Sequence, residues 1–100
     1  MSISKLPAIH PGEILRDLYL EPLGMSAGAL AKRLDVPRTR IERLVAERSP
    51  VTPDTALRLA KFFRTTPQLW MNMQASYDLK IEAPALADKL AQIQELEFAA

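Results

Sequence analysis

The sequence predicts an all-α fold, with a five-helix domain over residues 10–79 and a C-terminal amphipathic helix. Apolar residues recur at three- and four-residue spacing along most of the chain, as they do on one face of a helix. Thr52–Pro53 and Thr66–Pro67 each combine an N-cap residue with a proline suited to the first helical position. The chain has 100 residues, which is enough for one small domain with a core.

The chain divides into three segments. Residues 1–9 show no helical periodicity and are predicted to form an N-terminal arm, partly extended. Residues 10–79 contain the five predicted helices, and residues 80–100 form an acidic C-terminal extension. A short helix in this extension is expected to begin near Pro84. Its apolar face consists of Leu86, Leu90, Ile93 and Leu96.

The first helix is predicted to begin at Pro11 and to end around Gly24. Glu13 favours the positive end of the helix dipole. The apolar face of this helix is formed by Ile14, Leu15 and Leu18. His10, just before the helix, is the only histidine, and the chain has no cysteine. Because metal sites need several such ligands, we expect a capping or surface histidine, with no metal and no cofactor.

Residues 26–47 have the pattern of two helices joined by a tight turn. The first helix carries an apolar stripe of Leu30, Ala31 and Leu34, and the second a stripe of Ile41, Leu44 and Val45. Asp35–Val36–Pro37 separates the two, because proline disfavours a helical residue before it. The small Ala31 stands where the helices must approach, and aspartate tolerates a left-handed turn conformation. This combination predicts a helix-turn-helix motif.

The second helix of this motif is predicted to be a DNA recognition helix. Its apolar stripe leaves one face for polar side chains, on which Arg43 is expected to read guanine and Arg38 to reach a base or a phosphate. Ser26 is expected to cap the preceding helix, and Gly28 to leave room for a phosphate near backbone amides. The predicted DNA-binding residues are Ser26, Gly28, Arg38, Thr39, Arg40, Arg43 and Ser49.

The charge distribution agrees with this prediction. The formal net charge is only +1, but residues 25–48 carry three more basic than acidic side chains, and residues 81–100 carry three more acidic than basic ones. No apolar run is long enough to span a bilayer, and no secretory signal is recognised. We therefore expect a cytoplasmic protein without membrane contact.

The predicted fifth helix is apolar on two sides. Leu69, Trp70, Met73 and Tyr77 face the core, together with Ala56, Leu57, Ala60 and Phe63 of the preceding helix. The opposite side of the fifth helix presents Met71, Ala75 and Leu79. A helix that is apolar on both sides needs cover on both sides. We expect this second stripe to form a dimer interface. The alternative is that the terminal helix covers it within one chain.

The chain resembles the HigA-type (VapI-like) antitoxins, a branch of the lambda-repressor-like (XRE) helix-turn-helix proteins. The resemblance covers residues 9–79. It rests on His10–Leu15, Glu21–Gly24, Leu30–Ala31, Val36–Arg38, Arg40–Ile41, Thr55–Ala60, Trp70 and Gln74–Leu79. It implies a homodimer that binds an operator in its own promoter and neutralises a RelE-like toxin that cleaves messenger RNA. Many relatives carry glutamine where this chain has Ala27, and the acidic extension is less typical of the family.

Three functions are therefore considered. The first is a DNA-binding antitoxin that represses its own operon, the second a stand-alone transcription regulator, and the third a protein-interaction module that no longer binds DNA. An enzyme is the weakest interpretation, because the chain lacks cysteine, a second histidine and a glycine-rich phosphate loop. For the antitoxin, the expected partners are double-stranded operator DNA, a second copy and a cationic toxin. The acidic side chains expected at the toxin are Asp88, Glu95 and Glu97, and the competing site is the N-terminal arm with the first helix.

Overall fold

The computed structural model describes residues 7–97, and this part of the chain contains helices and turns but no strand. The all-α fold is thus confirmed. The elements in chain order are α1 (Pro11–Ile14), a π-helical segment (Leu15–Leu20), α2 (Glu21–Leu23), α3 (Ala27–Leu34), α4 (Arg38–Val45), α5 (Pro53–Phe63) and α6 (Pro67–Ala91). Most of the predicted N-terminal arm, residues 1–6, lies outside the described residues, as do residues 98–100.

The segment from α1 to α2 is continuous and corresponds to the predicted first helix. It ends at Gly24, whose φ of 61° is left-handed. Its middle is a π-helix, in which the N–H of Glu21 donates to the carbonyl of Arg16, five residues back. This wider turn buries Leu15 and Leu20 and leaves Leu18 facing solvent. The prediction for Leu18 was wrong because it assumed regular α-helical spacing.

The turn between α3 and α4 has the predicted geometry. Asp35 ends α3 in the left-handed conformation, with φ 58°. The N–H of Val36 then donates to the carbonyl of Ala31 at 3.0 Å. Pro37 is the N-cap residue of α4. Ala31 is buried between the helices, so the helix-turn-helix predicted from residues 26–47 is confirmed.

Trp70 of α6 lies at the centre of the core and is fully buried. Its indole Nε1–H donates to Thr65 Oγ1 at 2.8 Å, and the ring of Tyr19 lies 5.2 Å from its own ring, centroid to centroid. Leu59 of α5 is also fully buried, whereas Leu57, predicted to face the core, is exposed. Leu57 lies about 100° around the helix from Ala56, which takes it off the buried face.

The predicted fifth helix and the predicted terminal helix form one continuous helix, α6, of 25 residues. The expected boundary near Pro84 is wrong. This proline stands inside α6, where it removes one N–H donor, and the residues on both sides of it remain helical. Only the first half of α6 is covered by the domain, and the second half projects from it. Accordingly, the chain measures 56 × 24 × 22 Å.

None of the helices in residues 7–97 combines the length and the apolar character needed to cross a membrane.

Candidate nucleic-acid interface

The outer face of α4 is formed as the sequence predicts. Ile41 and Leu44 are buried beneath the helix, and Thr39 and Arg43 are exposed on the opposite side. Within residues 7–97, no carboxylate lies within 4 Å of the Arg43 guanidinium. The side chain of Arg43 can therefore reach into a DNA groove without first breaking an ion pair.

The carboxyl end of α4 is held by the first helical segment. Gly12 packs so closely that a Cβ at this position would lie 1.9 Å from the carbonyl oxygen of Leu44. Arg16 donates to the carbonyl of Val45 at 2.7 Å and to Glu47 at 3.3 Å. The hydrogen bond from Arg16 to Asp17, more than that to Glu47, raises the pKa of the guanidinium. A cation at the carboxyl end of a helix is also favoured by the helix dipole.

His10 is the N-cap residue of α1, which confirms its predicted capping role. Its Nδ1 accepts from the N–H of Gly12 at 2.9 Å. The imidazole is buried, and its ring meets that of Tyr77 edge to face at 4.9 Å between centroids. His10 thus joins α1 to α6 directly beside the glycine that contacts α4.

At the other end of the interface, the start of α3 adjoins the start of α4. Ser26 caps α3 by accepting from the N–H of Ala29 at 3.0 Å. A Cβ at Gly28 would lie 2.9 Å from Cδ of Arg38, so this glycine makes room for the arginine side chain. Arg38 is exposed and forms an ion pair with Glu42 at 3.5 Å. Ser26, Gly28 and Arg38 are therefore neighbours, as a shared phosphate site requires.

Arg40 differs from the other arginines of α4 because it is paired with α5. Its guanidinium donates to the carboxylate of Asp54, which also accepts from Arg58 at 3.0 Å. Arg58 in turn donates to the carbonyl of Leu34, at the end of α3, at 2.8 Å. The hydrogen bonds from Arg58 and then from Arg40 lower the pKa of Asp54. This network links α3, α4 and α5 around the helix-turn-helix.

Asp54 is not among the residues that the sequence predicts for the interface. The four-residue spacing of Asp54 and Arg58 is a recognisable helical pair. The contact of Asp54 with Arg40 spans 14 residues and depends on how α4 crosses α5.

The loop after α4 is held by buried Gln74, for which the sequence predicted no role in the interface. The side-chain oxygen of Gln74 accepts from the N–H of Val51 at 2.8 Å, and its nitrogen donates to Asp78 at 2.9 Å. Ser49, predicted to contact DNA, is half-buried in this loop. The sequence signal for this role of Gln74 is a polar residue on the same helical face as Trp70, one turn after it.

The residues predicted for protein contacts lie along α6 and beyond it. Ala75 and Leu79 are exposed, whereas Met71 is half-buried against the core and so faces outward only in part. Leu69, predicted to face the core, is exposed. The acidic side chains predicted at the toxin are exposed, with Asp88 on α6 and Glu95 and Glu97 on the non-helical segment that follows.

Comparison with known proteins identifies the family. The family model for the helix-turn-helix matches residues 15–70. The virulence-associated protein I of Dichelobacter nodosus is 55% identical over 78 residues, which are 78% of this chain and 72% of that protein. Among solved structures, the antitoxin HigA of Pseudomonas aeruginosa, solved with the higBA promoter, superposes with a TM-score of 0.86. It has 37% identity, with 90% of this chain and 99% of that chain covered.

The antitoxin GraA in complex with its operator gives a TM-score of 0.89 at 36% identity, with 98% of this chain and 99% of that chain covered. The similarity therefore includes most of α6 as well as the helix-turn-helix. The family consists of DNA-binding proteins and not of enzymes. This chain belongs to the XRE-type helix-turn-helix family, in the branch of the HigA antitoxins and VapI-like proteins.

Proposed function

We propose that this protein is a DNA-binding antitoxin that represses its own operon as a dimer and neutralises a RelE-like toxin. The observation that carries the DNA-binding part is the outer face of α4. It presents Thr39 and Arg43 to solvent above a buried apolar stripe. Similar chains have been solved with the higBA promoter and with an operator, which supports the same use of this surface.

The proposed operator is nearly palindromic and is read by two copies of the chain. One helix-turn-helix contacts only a few base pairs, and a two-fold pair doubles the length of the site. The proposed half-sites lie about one DNA turn apart, roughly 10 bp or a multiple. Arg38 and Arg40 lie nearer the start of α4 than Arg43 and are proposed to contact bases or phosphates. Ser26, Gly28 and Ser49 are proposed to contact the DNA backbone.

The proposed dimer interface is the exposed apolar face of α6. In one continuous helix, Ala75 and Leu79 share a face with Leu86 and Leu90, at successive intervals of four or seven residues. The stripe predicted from Met71, Ala75 and Leu79 therefore extends along the projecting half of the helix. An exposed apolar surface of this length is typical of a protein contact site.

Co-expression with the product of a neighbouring gene tests the antitoxin function. We expect a basic protein of similar size that arrests growth alone, and a stable complex that relieves the arrest when both are expressed. An isolated gene, or a neighbour without toxicity, would favour the stand-alone regulator. Binding of the purified protein to its own upstream DNA, measured by fluorescence anisotropy at fixed salt, tests repression separately. Absence of binding would favour the interaction module.

A further inference from the structure

A shallow groove of about 300 Å³ lies between α3 and α5, away from the outer face of α4. Its floor is apolar and its rim is basic. The floor is formed by Leu34, Leu57 and Phe62, and the rim by Arg33, Arg58 and Lys61. The side chain of Leu57 is 59% exposed, although Leu59 on the same helix is fully buried. The groove thus presents an aliphatic side chain that nothing in the described part of the chain covers.

Two of the three rim cations are available to a ligand. Arg58 is already bonded to Asp54 and to the carbonyl of Leu34. The guanidinium of Arg33 lies 5.1 Å from the centre of the Phe62 ring, and among residues 7–97 neither Arg33 nor Lys61 has a carboxylate within 4 Å. A ligand that combines one or two aliphatic side chains with acidic groups therefore complements the groove.

The C-terminal segment Gln92–Glu97 has this chemistry. It follows the end of α6 and is not helical. Its apolar side chains, Ile93 and Leu96, are 66% and 76% exposed. Two carboxylates, Glu95 and Glu97, flank Leu96 on either side. The segment therefore matches the groove in apolar character and in sign of charge.

The segment cannot reach the groove of its own chain. The groove lies close to the first turns of α6, because Phe62 meets Phe63 edge to face at 4.9 Å and Phe63 lies 6.4 Å from Trp70, centroid to centroid. An α-helix rises ~1.5 Å per residue, so Gln92 is about 33 Å from Trp70 along the axis. The four residues from Gln92 to Leu96 span at most about 14 Å. The continuous α6 thus leaves only another molecule's groove within reach.

We propose that the groove of one protomer binds the segment Gln92–Glu97 of a second copy of the chain. Ile93 and Leu96 lie on the apolar floor. On the rim, Glu95 pairs with Lys61 and Glu97 with Arg33. The inference rests on the dimer of the proposed function and adds a reciprocal contact at the C-terminus of each chain. Asp88 is on the helical part and stays outside the groove, free to meet a toxin.

Engineered disulfides test this arrangement, because the chain has no cysteine of its own. The full-length double variant Leu57→Cys/Leu96→Cys is oxidised and run on a non-reducing gel. We expect a discrete covalent dimer, closed by two reciprocal bonds, rather than a ladder of polymers. The matched control is Leu18→Cys/Leu96→Cys, because Leu18 is 64% exposed but lies on the π-helical segment. Equal rates of dimer formation in the two variants would overturn the proposal.

Charge reversal provides a second measurement. Lys61→Glu is expected to raise the dissociation constant of the dimer by up to about fivefold for each of the two reciprocal contacts, as the loss of an exposed ion pair does. Adding Glu95→Lys is expected to restore it, because the pair is then re-formed with opposite signs. If Lys61→Glu has no effect, or Glu95→Lys does not restore the dimer, the pairing is wrong.

Sedimentation of the unmodified protein separates this inference from the proposed dimer. A dimer that gives no specific disulfide between positions 57 and 96 contradicts the groove contact and leaves the dimer in place. A protein that stays monomeric contradicts the dimer and the groove contact together.

Discussion

Arg43 is the side chain on which sequence-specific DNA reading is expected to depend most. It is exposed on the outer face of α4 and has the fork of donors that pairs with guanine in the major groove. We predict that Arg43→Ala weakens operator binding by about 1–3 kcal/mol and reduces discrimination at one base position. Anisotropy titrations with the operator and with single-base variants measure both effects.

Lys89→Ala is the control for Arg43→Ala, because it removes one positive charge from the projecting half of α6. We expect its operator affinity and base preference to equal those of the unmodified protein. If Arg43→Ala behaves like this control at the same salt concentration, Arg43 does not read a base.

Asp54 is expected to stabilise the folded chain in a pH-dependent way. Arg58 and then Arg40 hold its pKa below the ordinary value of 3.8. A carboxyl whose pKa is lower in the folded than in the unfolded state contributes stability above the unfolded pKa. That contribution is lost as the pH falls through the folded pKa. We predict that Asp54→Asn lowers the thermal midpoint at pH 7 and that this difference shrinks below pH 3.8.

Thermal unfolding followed by circular dichroism at a series of pH values measures this effect. Asp88→Asn on the exposed part of α6 is the matched control, and its midpoint is expected to follow the unmodified protein at every pH. A difference between Asp54→Asn and the unmodified protein that stays constant down to acid pH would contradict a role for the ionised carboxylate.

At the scale of the elements, α4 is held in place at its carboxyl end and through the loop that follows it. Gly12 contacts the last turn of α4, and Gln74 of α6 holds the loop that follows it. The position of α4 in the fold therefore depends on α1 and α6, which are far from it in sequence. The π-helical segment also contributes to this packing, because it places the side chains of Leu15 and Leu20 in the core.

Gln74 is the residue whose loss should disturb this arrangement most selectively. In Gln74→Leu, the buried N–H of Val51 loses its acceptor, and an unsatisfied buried donor costs about 1–3 kcal/mol. We predict a decrease of this size in the free energy of unfolding, measured with urea. Gln68→Leu makes the same change at an exposed position of α6 and should leave the free energy nearly unchanged. Equal stability of the two variants would show that Val51 finds another acceptor.

At the scale of the molecule, the exposed stripe of α6 is expected to join two copies. Leu79 is 57% exposed and lies on that stripe, so Leu79→Glu should disrupt a dimer without disturbing the core. We predict a folded monomer, measured by sedimentation, and weaker operator binding, measured by fluorescence anisotropy. Ile81→Glu is the control and should remain dimeric, because Ile81 is 51% exposed but lies about 200° around the same helix from Leu79. A dimeric Leu79→Glu protein with full operator affinity would place the interface elsewhere.

The acidic extension is expected to contribute to toxin binding. The exposed carboxylates of Asp88, Glu95 and Glu97 offer a surface of opposite charge to an RNA-cleaving toxin. We predict that the triple variant Asp88→Asn/Glu95→Gln/Glu97→Gln lowers toxin affinity by at most about fivefold per charge. Calorimetry with the purified toxin measures the effect. Unchanged toxin affinity would favour the competing site, the N-terminal arm with the first helix.

The sequence by itself determined the positions of α3, α4 and α5 and the side of α4 that stays exposed. Proline starts, Ser and Thr caps and apolar spacing are local signals, and they located α3, α4 and α5 correctly. The stripe of Ile41 and Leu44 likewise determined which side of α4 stays exposed, because a helix is oriented about its axis so that its apolar side chains are buried.

Only the tertiary structure decided the features that depend on contacts between distant residues or on a choice between close alternatives. Asp54 meets Arg40 and Gln74 meets Val51 only after the helices pack. The π-helical turn at Leu15–Leu20 follows from burying two leucines whose spacing a regular helix would not bring to one face. The continuity of α6 through Pro84 was undetermined in the sequence, because a proline can end a helix or be tolerated within one. The helix continues through Pro84 because the residues on both sides favour helix and because this half of α6 projects from the domain.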